Sequence, residues 1–152
     1  MAIDDPNNQY HPAEVSYLTD EKPEIRERFF ERLDQVPQVI SAFCYTQRTH
    51  DRIKALSEQF QLKPTQILFL TCVIRDIAVG FKYFGDMVEE LKNQLDLPED
   101  TAKKIAVAIT NDVYDFALED IKKLQVATFP DRIKQSMEKS ENNVLNLRDG
   151  TF

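Results

Sequence analysis

Arg75 and Asp76 sit side by side within ILFLTCVIRDIAVGF, residues 67–81, a run otherwise interrupted only by Thr71. Charges inside an apolar helix are costly to bury unless each finds an opposite charge or hydrogen-bonding partner. The expectation is that Arg75 occupies a narrow exposed edge of this helix, with Asp76 held by a neighbouring helix. The functional alternative is a polar contact offered to a partner or ligand, and Arg75→Met separates the two.

Other reactive residue types do not fall into a known pattern. Asp115 shares a helix face with Asp112 or Glu119, but this is one pair on one helix. A di-metal bundle site takes inward Glu from several helices plus Glu-x-x-His, and the sequence has no such motif. His11 and His50 lie far apart in the sequence, and Cys44 and Cys72 are isolated, so no metal-ligand spacing arises. Cys44 and His50 are the one local pairing of a nucleophile with a base, and Cys44 is expected in the core instead. The chain has no G-x-S-x-G, no P-loop and no G-x-G-x-x-G. The reading is therefore a non-enzymatic protein without cofactor or metal. A deep pocket with convergent polar groups around Arg75 or Asp115 would reopen catalysis.

Arg48, His50, Arg52 and Lys54 form the most basic stretch, with Arg48 and Arg52 on one helical face and Asp51 interrupting. They are the candidate anion or nucleic-acid patch, extended by Arg26, Arg28 and Arg32. The net charge of −7 and pI near 4.9 disfavour phosphate backbones and anionic lipid without forbidding a local patch. The leading expectation is a protein partner. Its candidate contacts are Arg75 and Asp76 with the apolar anchors of the two tails: Tyr17, Leu18, Leu145, Leu147 and Phe152.

The elements that must position these residues are helices. Three glycines in 152 residues argue against a turn-rich β protein. The fold class expected is all-α: a single compact bundle of five to six helices around the apolar 67–81 run, with irregular tails. A helix apolar on nearly every side needs neighbours over several faces. The domain reading is an extended arm over 1–18, more often disordered than docked, a helical domain over 19–125, and a tail over 126–152 with a possible short helix near 131–139.

Helices are expected near 22–34, with a stripe of Ile25, Phe29, Leu33 and Val36, then near 37–45, and from a Thr46 or Thr49 cap to about 60. The central helix starts at Pro64 and stops at Gly80. Another runs to about Leu95. A long one opens at Pro98 and reaches Leu124 through Ala102, Ile105, Ile109, Val113, Phe116, Ala117 and Ile121. The apolar run is shorter than the roughly 20 residues of a bilayer span. With no secretory signal and two isolated cysteines, a cytoplasmic location is expected.

The segments FFERLDQVPQVISAF, THDRIKALSEQFQLKPTQILFLTCVIRDIAVGF and FGDMVEELKNQLDLPEDTAKKIAVAITNDVYDFALEDIKKL follow one another from Phe29 to Leu124. This order resembles a small helical domain of unknown function in candidate-phyla, small-genome bacteria. The shared features are a short Pro-led helix, a long apolar helix ending in Gly, and an L-x-L-P-x-x-x-A-x-x-I segment. The longer Gly-containing turn that usually follows the apolar helix is not evident here. The resemblance implies one helical domain in a bacterial protein and carries no activity.

Overall fold

A computed structural model describes residues 9–19 and 21–142. Among these residues there are eight α-helices and no strand, packed as an all-α bundle. They are α1 Pro23–Gln35, α2 Gln38–Tyr45, α3 Gln47–Gln59, α4 Pro64–Ala78, α5 Met87–Leu95, α6 Glu99–Ala108, α7 Leu118–Thr128 and α8 Pro130–Asn142.

The helix ends follow local chemistry. Pro occupies the first turn of α1 and α4, where its missing N–H costs nothing. Thr46 caps α3 by accepting from the Thr49 amide. At the start of α4, Gln66 accepts from the Lys63 amide through Oε1 and donates from Nε2 to Leu95 O, tying α4 to the end of α5. Gly80 takes φ +83° beyond α4, and the amides of Phe81 and Lys82 close back on Asp76 O. The side chain of Arg32 sits over this end, its Nε donating to Val79 O at 2.8 Å.

The core is centred on α4. Leu70, Ile74, Ile77 and Ala78 are fully buried, and α4 packs along α5, which packs along α6. Phe29 and Leu33 of α1 and Val36 just after it point inward as expected, whereas Ile25 is exposed. Of the arm expected over 1–18, the described residues 9–18 pack on the bundle. Tyr10, Ala13 and Val15 are buried, Ala13 donates to Cys44 O, and Thr71 Oγ1 donates to Gln9 O at 2.6 Å.

The long helix expected from Pro98 to Leu124 is broken. A π-helical turn at Ile109–Val113 and a 3-10 turn at Asp115–Ala117 separate α6 from α7. Between Ile105 and Ile121 the apolar residues recur every fourth position, and in a regular α-helix each such step drifts by ~40°. The wide turn absorbs the drift, so Ile105, Ile109, Val113, Ala117 and Ile121 all stay buried. It also swings Tyr114 into the core, where its hydroxyl donates to Ile74 O at 2.9 Å, and turns Phe116 outward. The terminal helix, α8, is longer than expected; it meets the bundle through Ile133 and a Tyr83–Ser136 hydroxyl contact. No helix among the described residues is long and apolar enough to cross a membrane.

Candidate functional site along helix α4

Arg75 is not on an exposed edge. It is 2 % exposed and ranks among the largest fully buried side chains. Its guanidinium forks onto Glu21, Nη2 to Oε1 at 2.8 Å and Nη1 to Oε2 at 3.2 Å, while Nε donates to Asp76 Oδ1 at 2.9 Å. The Phe29 ring lies 5.2 Å from the guanidinium carbon. Asp76 is thus held by its own neighbour in sequence rather than by another helix. The partner that makes burial tolerable is Glu21, just before α1, a residue that periodicity had no reason to single out.

Electrostatics follow from one cation serving two carboxylates. Burial alone would lower the Arg75 pKa, but Asp76 and Glu21 outweigh it and raise it further, so the group stays charged. Burial raises the Asp76 carboxyl above its ordinary value of 3.8, against the attraction of Arg75. Attraction shared between two anions leaves Asp76 incompletely compensated. The Cys72 thiol donates to Glu21 Oε1 at 3.8 Å, and burial pushes its pKa up to about 12. Cys44 is likewise pushed up to about 12 by burial. Both thiols stay protonated at neutral pH, which does not suit a thiolate nucleophile.

Of these groups Glu21, Cys72 and Asp76 border a groove of about 450 Å³. Thr65, Leu68, Phe69, Cys72, Val73 and Asp76 of α4 line it, with Leu18, Thr19 and Glu21 on one side and Lys82 and Gln94 on the other. The α4 residues recur at steps of three and one, a single helical stripe about 16 Å long. The neighbours leave this stripe open at its N-terminal half, where Phe69 is 42 % exposed, and cover Val73 further along. Lys82 Nζ is held by Glu90 at 2.8 Å, and Glu90 also accepts from Gln94. Convergent polar groups do meet at a pocket beside Arg75, but they hold charge and accept hydrogen bonds without an activated nucleophile among them.

The remaining candidates are dispersed. Leu18 joins Asp76 at the groove. Tyr17 stacks with Phe30 and carries the Arg26 guanidinium 5.2 Å over its ring, so it is engaged within the protein. Leu145, Leu147 and Phe152 lie outside the described residues. In the basic patch, Arg48 pairs with Asp115, Arg52 Nη2 lies 3.7 Å from the same carboxylate, and Arg48 covers the exposed Phe116 ring at 5.5 Å. Burial would raise the Asp115 carboxyl, but hydrogen bonds from Arg48 and the Phe116 amide outweigh it and lower the pKa. Arg28 stacks on Phe81, and Arg32 serves the end of α4, so these arginines have internal roles. Lys54 is exposed.

Two features escaped the sequence. His11 and His50 have ring centroids 4.6 Å apart despite their separation in the chain. Among the described residues, no group of three His, Cys, Asp or Glu is placed to hold a metal. Gln125 is fully buried and stitches three segments: Nε2 donates to Ile77 O and Lys82 O, and Oε1 accepts from the Phe84 amide. Its i+4 position after Ile121 was the available signal, masked by its polarity.

Comparison with protein-family models, with curated proteins and with solved structures finds no match.

Proposed function

We propose that this chain is a non-enzymatic protein-interaction or structural module of the bacterial cytoplasm, and that its recognition surface is the α4 groove. The observation that supports this reading is the partly open stripe on the central helix. Phe69 is exposed on a largely buried helix and lines one groove with Leu68, Leu18 and the polar residues Asp76 and Glu21. Apolar anchors rimmed by polar groups are how interaction surfaces differ from ordinary exposed side chains.

The test is site-specific photocrosslinking in the full chain. A photoreactive phenylalanine analogue at position 69 is compared with the same analogue at Val107, which is also exposed but lies on α6. Discrete protein adducts from position 69 and not from 107 support the reading. Equal labelling from both positions, or none from 69, ends it.

A second reading is favoured by one observation: Arg48 and Arg52 share a single carboxylate beside the exposed Phe116 ring, a cation pair next to a stacking surface. It makes the chain a nucleic-acid- or ribosome-associated factor. Salt-sensitive binding of single-stranded oligonucleotides, lost with Arg48→Glu plus Arg52→Glu, supports it. No binding at low salt removes it.

A further inference from the structure

We propose that the α4 groove seats an amphipathic helical segment of a partner protein, its apolar side chains on Leu18, Leu68 and Phe69 and a basic side chain over Asp76 and Glu21. This rests on the reading of the groove as an interaction surface and adds the chemistry of the occupant.

The shape is that of a helix site. The α4 residues of the groove repeat at helical spacing over about three turns, open at Thr65 and Phe69 and partly covered at Leu68, Cys72 and Asp76, so an incoming helix can set ridges against them, most closely at the Phe69 end. An extended peptide recognised by β-augmentation needs a strand edge, and none is present among the described residues.

The charge is that of an unfinished ion cluster. Glu21 and Asp76 are two anions that line the groove, and among the described residues Arg75 is the cation bonded to both. Lys82 is at the rim, with its ammonium held at 2.8 Å by Glu90, so that pair is neutral in itself. One negative charge is left at the polar end of an apolar groove. The carboxyl side chain of Asp76 is 15 % exposed and that of Glu21 19 %, enough to be met from the groove. A lysine or arginine on the incoming helix would supply the second cation while its stem lies on the apolar wall.

The experiment pans a displayed library of helical peptides on the full chain, with counter-selection on the Phe69→Asp chain. Enriched peptides are then synthesised and titrated by fluorescence anisotropy. The expected family carries an apolar stripe and a basic residue at one end. Changing that residue to Glu weakens binding at least about tenfold. Phe69→Asp does the same, and Val107→Asp leaves affinity unchanged; circular dichroism checks that both chains fold. Peptides that need Phe69 but bind equally well with Glu in place of the basic residue overturn the charge assignment and leave the groove reading standing. Failure to enrich any peptide that depends on Phe69 overturns both. Enrichment only on a chain carrying Leu145→Asp and Leu147→Asp would make the occupant the chain's own C-terminal segment, and so overturn assignment to a separate partner.

Discussion

Two clusters of arginine and carboxylate in this molecule have opposite stoichiometry and opposite surroundings. At α4, one guanidinium serves two carboxylates under cover, and Arg75 is 2 % exposed. At the start of α3, two guanidiniums converge on one carboxylate, with the Arg48 side chain 53 % exposed. Water decides what each is worth. In the exposed cluster, solvent and salt already stabilise every charge, so the contacts add little. In the buried cluster, water reaches the two carboxylates only from the groove and barely reaches Arg75, so each charge depends chiefly on the others. The exposed cluster at α3 orders a surface; the buried one at α4 is part of the support of the fold and leaves a polar end on a groove.

Removing one member should expose the contrast most. Arg75→Met strands Glu21 and Asp76 and is expected to cost about 3–5 kcal/mol in urea unfolding. Adding Glu21→Gln and Asp76→Asn to that variant should recover most of the loss, because the cost is the uncompensated charge rather than the missing contact. If Arg75→Met alone is as stable as the parent, the cluster has no supporting role. Gln125→Leu provides a neutral counterpart: it leaves Ile77 O, Lys82 O and the Phe84 amide without their buried partner, with an expected loss of roughly 2–3 kcal/mol.

The two aspartates should also titrate with opposite sign. Asp76 is raised above 3.8 by burial. Between that value and its folded pKa the native state binds more protons than the unfolded one, so stability falls as pH rises through the window. Asp115 is lowered below 3.8. Its contribution is present above that value and is lost as pH falls through its folded pKa. Unfolding of Asp76→Asn and Asp115→Asn chains against the parent, from acid to neutral pH, should remove a downward slope in the first and a smaller upward slope in the second. Slopes of the same sign would erase the distinction. The smallest effect is expected from Arg48→Ala, within about 1 kcal/mol and shrinking further with added salt.

Particular residues mark how far the sequence could be read. Pro64, Gly80 and Thr46 announced their helix boundaries, because a cap is a short-range interaction between residues that are already neighbours. The recurrence of Phe29, Leu33 and Val36 identified a buried face. The same rule misjudged Ile25 and Phe116, since whether a face is covered depends on the neighbour that arrives. The π-helical turn was legible in principle, as four-residue steps from Ile105 to Ile121 are too long for the α-helical period. Of the candidate site, Leu18, Arg75 and Asp76 were legible as misplaced residue types; Glu21 was not, because it stands among ordinary surface charges of a helix start.

The sequence by itself determined an all-α bundle with a central apolar helix bounded by Pro64 and Gly80, because caps and periodicity act over a few residues. Only the tertiary structure decided that Arg75 points inward to Glu21, that Leu18 joins Phe69 in lining one groove, and that Phe69 stays exposed on the central helix. Those outcomes turn on which faces meet, and that is set by the packing of segments distant in the chain.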